Sequence, residues 1–168
     1  KYEHSDVIIN LNKKIDILTK QIYIQSKSFD ELEELVEDKN KMLSSIPAIQ
    51  PISKNKSYLA SGFGTRMHPI YKIKKMHAGL DFTAPKGTPV YATGDGTVEK
   101  ARYNKRSGYG KHVTINHGYG YKSLYAHLDK YVVKEKQKVK RGEIIGFVGN
   151  TGRSVAPHLH YEITKNNK

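Results

Sequence analysis

Residues 4–46 contain neither proline nor glycine, and this uninterrupted stretch is the strongest constraint on how the chain can fold. Counted in heptads from Ile8, ten of its twelve core positions are apolar, and Gln25 and Lys39 are the two exceptions. An apolar repeat of this period is typical of a helix with a coiled-coil seam. We therefore predict one long helix over residues 4–46. The alternative is an amphipathic helix that packs on its own domain.

The helix should end where the first prolines occur. Pro47 and Pro51 cannot continue it, and each disfavours helical backbone in the residue that precedes it. We divide the chain into a helical coiled-coil segment over residues 1–46, a linker over 47–56 and a second domain over 57–168. No apolar run reaches the roughly 18 residues that a membrane helix needs. Because the chain does not begin with Met, we expect a fragment or processed form, with any targeting or membrane anchor upstream.

Beyond residue 57 the heptad pattern gives way to alternation. Glycine and tyrosine become frequent, and short stretches alternate apolar and polar residues with a period of two. Six stretches are typical of strands: 90–92, 96–101, 111–117, 121–127, 142–148 and 158–163. We therefore predict a mostly β fold, in which an antiparallel sheet forms a sandwich or open barrel. The N-terminal coiled-coil helix precedes this domain in the chain.

Composition narrows the chemistry and the partners of the second domain. Cysteine is absent, which excludes disulfides, thiolate metal sites and a cysteine nucleophile. Residues 51–168 contain 22 Lys and Arg against 7 Asp and Glu, a net charge of +15, whereas residues 1–50 carry a net charge of −2. Such a basic domain attracts polyanions such as nucleic acid, anionic lipid or cell-wall polymer, or is simply more soluble. No nucleic-acid-binding motif is present, so we predict no nucleic-acid partner.

Two histidines one residue apart near the end of the chain are the first candidates for chemistry. Alternate side chains of a strand share a face, so His158, His160 and Glu162 point to the same side. Two imidazoles on one face can line a common cleft, although exposed pairs of this kind occur without any function. The pair therefore marks a candidate site only where further ligands join it.

His77 and Asp81 are the candidate partners of this pair. On a straight strand their Cα atoms would be ~13 Å apart at about 3.3 Å per residue, too far for bonds of roughly 2 Å to one metal ion. Gly79 and Pro85 disfavour a helix here, but Gly79 permits a bend. We therefore predict a kink between the two ligands. A set of three His and Asp ligands leaves one position open for water, which is the pattern of a catalytic zinc site.

The remaining histidines of the second domain lie in two predicted strands. By alternation, His127 shares a face with Tyr125. His112 and His117 lie on opposite faces because their positions along the strand differ by an odd number, so we predict structural roles for both.

Weaker candidates surround these positions. Arg66 and His68 either line a substrate groove or belong to an exposed loop. Tyr71 is a candidate hydrogen-bond donor to an oxyanion. Residues 150–154 are expected to form a loop at the rim of the cleft.

Five blocks of the second domain carry a family resemblance. The blocks are Gly62-Phe63-Gly64-Thr65-Arg66, His77-Ala78-Gly79-Leu80-Asp81, Gly87-Thr88-Pro89-Val90-Tyr91-Ala92, Ser123-Leu124-Tyr125-Ala126-His127-Leu128 and Thr151-Gly152-Arg153-Ser154-Val155-Ala156-Pro157-His158-Leu159-His160-Tyr161-Glu162. In this order they resemble the lysostaphin/LytM-type zinc endopeptidases of bacterial cell walls. The resemblance covers roughly residues 57–165, and the five blocks together are very specific.

The resemblance implies a role for five residues of the second domain. His77, Asp81 and His160 match the family's zinc ligands, and His127 and His158 match its catalytic pair. All five positions agree with the family pattern, so nothing suggests an inactive relative.

The same resemblance implies a function and a location. The chain would be a zinc-dependent endopeptidase that hydrolyses peptide cross-links of bacterial peptidoglycan, in the cell envelope and either periplasmic or extracellular. The helix would regulate the enzyme, form a coiled-coil homo-oligomer or dock to an envelope protein. The alternative is a non-catalytic coiled-coil activator or binding protein of the envelope. The bond cut, and which of His127 and His158 is the base, stay open at this point.

Overall fold

The computed structural model describes residues 3–67, 73–104 and 108–166. The chain divides into two compact units, Lys1–Lys41 and Met42–Lys168. The predicted division, with a linker over residues 47–56, stays a prediction.

The long N-terminal helix, α1, spans Glu3–Ser45 and confirms the predicted helix. It has no proline or glycine to interrupt it, and it ends just before Pro47. Its heptad positions are exposed in the single chain, and the side chains of Leu11, Ile15 and Leu18 have 50–56% of their surface open to solvent. Pairing of this seam with another helix stays a prediction. Among the described residues, no helix is both long and apolar enough to cross a membrane.

The described residues of the second unit hold eleven strands and a short 3₁₀ turn, Lys54–Lys56. The strands are β1 (Tyr58–Ser61), β2 (Gly64–Met67), β3 (Lys74–His77), β4 (Leu80–Thr83), β5 (Pro89–Tyr91), β6 (Gly96–Asn104), β7 (Gly110–Gly118), β8 (Tyr121–Tyr131), β9 (Lys138–Val139), β10 (Ile144–Val148) and β11 (His158–Lys165). Strands β5 to β8, β10 and β11 match the six predicted stretches to within a few residues. The other five strands contain two to four residues each and were not predicted.

Nine of these strands form one sheet, in the order β1-β4-β11-β8-β7-β6-β9, with β10 paired to both β8 and β5. The remaining two, β2 and β3, form a separate hairpin. Every pairing between named strands is antiparallel. The predicted antiparallel, mostly β fold, preceded in the chain by a long helix, is therefore confirmed.

The core of this unit lies on one face of the sheet, where the apolar side chains of the alternating strands are buried. Its fully buried members include Val90, Val98, Val113, Ile115, Leu128, Ile145, Val148 and Leu159. Two residues from the predicted linker, Pro51 and Ile52, also belong to it, and Ile52 is only 1% exposed. The carbonyl of Pro51 accepts a hydrogen bond from the amide of Tyr91 at 2.8 Å, which fixes this segment against β5.

A chain of buried polar side chains crosses this core. The hydroxyl of Tyr161 donates to Thr93 Oγ1 at 2.8 Å, and Thr93 Oγ1 lies 2.9 Å from the hydroxyl of Tyr125. That hydroxyl lies 3.0 Å from Ser123 Oγ, which in turn lies 2.7 Å from His117 Nε2. Each polar atom is thus satisfied, as burial requires. His117 is a member of this internal network, in keeping with its predicted structural role.

Candidate metal centre

The register of the central sheet determines which side chains meet at the candidate site. In the pairing of β11 with β4, His160 lies directly opposite Asp81. Tyr161 and Leu159 flank His160 and point into the core, so alternation turns His160 to the other face. A carboxylate from one strand and an imidazole from the next therefore face the same cavity.

His77 reaches this pair because the chain bends between β3 and β4. His77 ends β3 and Asp81 is the second residue of β4, with Ala78 and Gly79 between the strands. The bend was predicted, and the packing at Gly79 adds a second reason for glycine at this position. A Cβ added at Gly79 would lie 2.4 Å from the carbonyl oxygen of Tyr161, so the position needs close approach to β11 and not a left-handed backbone.

Three atoms whose lone pairs could bind a metal ion converge where these strands meet. Asp81 Oδ1 lies 3.1 Å from His77 Nε2 and 2.8 Å from His160 Nδ1, and the two nitrogens are 3.1 Å apart. The other nitrogen of each ring is already engaged: His77 Nδ1 donates to the carbonyl of Gly62, and His160 Nε2 donates to the carboxylate of Glu162, both at 2.7 Å. In its neutral form, each imidazole therefore turns its free lone pair towards Asp81.

These three residues fit a zinc ion. Three lone-pair donors this close together repel one another unless a cation or a proton lies among them. Their separations of 2.8–3.1 Å are close to the roughly 3.3 Å between ligands of a tetrahedral site with bonds of roughly 2.0–2.1 Å. The side chains of His77, Asp81 and His160 are only 9–12% exposed, so water screens the repulsion poorly. The same three residues form the group of potential metal ligands in the described part of the chain.

The ionisation of the cluster also favours positive charge at its centre. Burial lowers the pKa of His160, but hydrogen bonds to Asp81 and Glu162 outweigh it and raise the pKa to about 9. Burial raises the pKa of Asp81, but its bond to His160 and the charge of His77 hold that pKa below its ordinary value. The pKa of Glu162 is lowered in the same way, by His160 and Tyr109 against the effect of burial. Both carboxylates are therefore ionised at neutral pH and stabilise a cation.

Two further side chains hold the carboxylates in place. Arg66 Nη2 donates to Asp81 Oδ2 at 2.7 Å, and Arg66 also lines the cavity beside the cluster. The hydroxyl of Tyr109 donates to Glu162 Oε1 at 2.8 Å. Nothing in the sequence near Tyr109 signals this contact, because the tyrosine precedes β7 and its partner lies on β11.

His127 and His158 lie side by side next to the cluster. Their ring centroids are 4.7 Å apart, and His158 Nε2 lies 3.9 Å from Asp81 Oδ1. His127 Nδ1 donates to the carbonyl of Thr151 and His158 Nδ1 to that of Ala156, both at 2.8 Å. Each ring therefore keeps Nε2 as the atom that can accept a proton in the neutral form. Burial, assisted by the nearby histidines, lowers the pKa of His127 to about 4 despite the bond to Thr151, which keeps this ring neutral at pH 7.

The prediction that His127 shares a face with Tyr125 is wrong. Tyr125 is fully buried in the core, where its ring lies 5.2 Å from that of Tyr161. His127 instead joins His158 and His160 on the opposite side of the sheet. The cause is its left-handed backbone, with φ of 61°, which breaks the alternation of β8. Such a conformation costs energy in a residue with a side chain, and it is often found at functional sites.

The cluster and the two histidines line a cavity of about 460 Å³. Its walls also carry Lys75 and Arg153 and, from the loop predicted at the rim, Ser154. His68 and Tyr71, predicted as groove and oxyanion residues, lie outside the described residues. His112 is buried elsewhere in β7, where Nδ1 donates to the carbonyl of Gly110 at 3.0 Å.

Comparison with known proteins agrees with this site. Residues 75–168 match the model of peptidase family M23. The chain belongs to peptidase family M23. This M23 chain is 49% identical over 104 residues to the DD-carboxypeptidase/endopeptidase Mpg of Neisseria meningitidis, covering 62% of the chain and 24% of Mpg. It is 50% identical over 98 residues to the peptidoglycan DD-endopeptidase ShyA of Vibrio cholerae, covering 58% of the chain and 22% of ShyA. The M23 chain thus spans about a quarter of the length of the curated relatives it matches.

Solved structures resemble the fold in the same region. A zinc-containing peptidase of Vibrio cholerae is similar with a TM-score of 0.65 and 43% identity, over 70% of this chain and 36% of that one. The catalytic domain of lysostaphin from Staphylococcus simulans is similar with a TM-score of 0.61 and 37% identity, over 66% of this chain and 81% of that domain. The predicted resemblance to lysostaphin-type peptidases is therefore confirmed.

Proposed function

We propose that this chain is a zinc-dependent endopeptidase that hydrolyses peptide cross-links of bacterial peptidoglycan. The observation that carries the proposal is the convergence of three lone-pair donors, from His77, Asp81 and His160, beside the paired rings of His127 and His158. A purely structural metal site would be closed by a fourth protein ligand, whereas three ligands next to a cavity leave room for water and substrate.

The three ligands would hold the zinc ion through His77 Nε2, Asp81 Oδ1 and His160 Nδ1. When bound, zinc lowers the pKa of a coordinated water towards about 7 and polarises a carbonyl, which is the chemistry that peptide hydrolysis needs. Arg66 holds the second carboxylate oxygen of Asp81, so only Oδ1 is directed at the centre.

The two neighbouring histidines would move the protons. Nε2 of one of them accepts the proton of the attacking water and passes it to the nitrogen of the leaving amine, so the peptide bond breaks without a charged amide anion. The carbonyls of Thr151 and Ala156 hold the two rings in the required tautomer. His158 Nε2 lies 3.9 Å from Asp81 Oδ1, and the ring of His127 lies 4.7 Å from that of His158 and 6.0 Å from that of His160.

The choice of peptidoglycan as substrate rests on the relatives and on charge. ShyA is named a peptidoglycan DD-endopeptidase, and Mpg a DD-carboxypeptidase/endopeptidase. The net charge of +15 over residues 51–168 suits an anionic cell-wall polymer. Action in the cell envelope, periplasmic or extracellular, follows from the same proposal.

Metal removal and three alanine variants test the proposal. Purified peptidoglycan is incubated with the chain, and the released muropeptides are identified by mass spectrometry. A chelator should abolish release and added zinc should restore it. His160→Ala should lose both zinc and activity, whereas His127→Ala and His158→Ala should keep zinc and lose turnover by roughly 10²–10⁴-fold. Muropeptide release by His160→Ala after its zinc is lost would refute the enzymatic proposal and favour a non-catalytic envelope binding protein or activator.

We also propose that α1 is the segment through which the chain dimerises, docks to an envelope protein or is regulated. Its heptad side chains are exposed in the single chain, and a second helix would cover them. Residues 42–168 are the right comparison, because Ile52 is a core residue and the carbonyl of Ser44 accepts a bond from the amide of Asp95. Light scattering should show a larger assembly for residues 1–168 than for 42–168. Equal hydrolysis rates of the two chains would argue against regulation by the helix.

A further inference from the structure

Glu162 lies two residues after His160 on the same face of β11, and its carboxylate is largely buried. The side chains of Glu162 and His160 are only 13% and 9% exposed. A buried carboxylate is costly unless hydrogen bonds compensate for its lost hydration. Here it accepts two, from His160 Nε2 at 2.7 Å and from the hydroxyl of Tyr109 at 2.8 Å.

Tyr109 contacts both members of this pair. Its ring stacks on that of His160, with centroids 5.8 Å apart and planes inclined by 28°, while its hydroxyl reaches Glu162. The imidazole of His160 is therefore held on its face by Tyr109, at Nε2 by Glu162 and at Nδ1 by the ligand cluster. Few orientations of the ring satisfy all three contacts.

The contact with Glu162 decides which nitrogen of His160 carries the proton. A carboxylate can only accept a hydrogen bond, so the contact with Glu162 requires hydrogen on Nε2. When a metal ion takes the place of the proton between His160 and Asp81, Nδ1 is then the nitrogen that offers its lone pair to the metal. A carboxylate on the far nitrogen of a metal-bound histidine also makes the near nitrogen more basic and fixes the ring orientation.

We propose that Glu162 is a positioning residue that holds His160 with Nδ1 towards the metal, and that Tyr109 in turn fixes Glu162. This inference rests on the proposed function, because it requires His160 to be a metal ligand. Neither Glu162 nor Tyr109 needs to touch the substrate or the metal for this role.

The test compares the zinc affinities of variants of residues 1–168 after complete metal removal, by competition with a chromophoric chelator. Glu162→Gln keeps the size of the side chain but loses the charge, and it should weaken zinc binding by roughly 10–100-fold. Tyr109→Phe keeps the stacked ring but loses the hydroxyl, and it should weaken binding by less. Glu135→Gln and Tyr103→Phe, the same changes at exposed positions, should leave the affinity within about twofold of the native value, because they touch no ligand.

A measurement on the native chain keeps the proposal testable if a variant misfolds. Nitrogen-15 NMR of the zinc-loaded protein should show His160 with hydrogen on Nε2 and the metal on Nδ1; the opposite assignment would overturn the inference. So would a folded Glu162→Gln chain that binds zinc as tightly as Glu135→Gln. If the native chain binds no zinc at all, the proposed function fails. If it binds zinc and cleaves peptidoglycan while Glu162→Gln does the same, only this inference fails.

Discussion

Replacing Gly79 with alanine should push apart the two strands that carry the proposed ligands. The added Cβ would lie 2.4 Å from the carbonyl oxygen of Tyr161, 2.9 Å from Glu162 Cγ and 3.0 Å from His160 Cε1. Ordinary contacts of carbon atoms begin at roughly 3.5 Å, so the backbone of β4 must move by about 1 Å relative to β11. The nearest obstacle is backbone, which a change of side-chain rotamer cannot relieve.

This displacement should cost both stability and metal affinity. Overpacking of a closely packed site costs roughly 1–3 kcal/mol of unfolding free energy. Metal–ligand distances tolerate deviations of only about 0.2 Å, and the strand that moves carries Asp81. We therefore expect zinc affinity to fall by more than about tenfold, which corresponds to about 1.4 kcal/mol of binding free energy.

Gly62 offers a matched control, because it is also a glycine next to a proposed ligand, His77. A Cβ at Gly62 meets no atom within 4 Å, and its carbonyl still accepts the bond from His77 Nδ1. Gly62→Ala should therefore leave stability unchanged or raise it by roughly 0.4–1 kcal/mol. Urea unfolding is followed by near-ultraviolet circular dichroism of the buried tyrosines Tyr125 and Tyr161, and the helix is followed separately at 222 nm. Equal unfolding midpoints and zinc affinities for the two alanine variants would refute the close-approach argument.

The buried polar network beside the core should respond both to pH and to loss of a hydroxyl. Burial lowers the pKa of His117, although the hydrogen bond to the carbonyl of Asp95 raises it in part. Below pH ~6.5 the unfolded chain therefore binds more protons than the folded one, and the free energy of unfolding falls. Urea unfolding at pH 7 and pH 5 should show a smaller loss for His117→Gln than for the native chain; an equal loss would contradict this assignment. Tyr161→Phe removes the bond to Thr93 Oγ1 and should cost roughly 0.5–1.5 kcal/mol. Its peptidoglycan hydrolysis should be unchanged, and a lost zinc ion would show that the network supports the metal site as well.

Local patterns in the sequence predict the elements that are long enough to display them. The helix follows from the absence of proline and glycine over residues 4–46, and six strands follow from their alternation. Strands β1 to β4 show no such pattern, because each has only four residues. In β1 the first three are exposed, so no apolar face appears in the sequence. Yet β4 carries Asp81, and the site depends on a strand that only its pairing with β1 and β11 defines.

His127 shows why the right residue can be predicted for the wrong reason. Alternation from Tyr125 would place its side chain in the core, and only the resemblance assigned it to the site. The structure resolves the conflict with a left-handed backbone at His127, whose amide donates to the carbonyl of Tyr109 at 2.9 Å. Histidine is enriched among the few per cent of non-glycine residues with positive φ, but most histidines do not adopt it, so the residue type alone does not predict this conformation.

The pattern of a single strand predicts that Glu162 lies near His160, but it does not predict that Tyr109 does. A period of two places Glu162 beside His160 whatever the rest of the fold, because both residues belong to β11. Asp81 and Tyr109 reach the same histidine from other parts of the chain, through the register of β4 and through the segment before β7. A slip of one residue in β11 would turn His158, His160 and Glu162 into the core and leave Asp81 without its partner. The ligand types are therefore local information, whereas the metal site exists only because the sheet has this register.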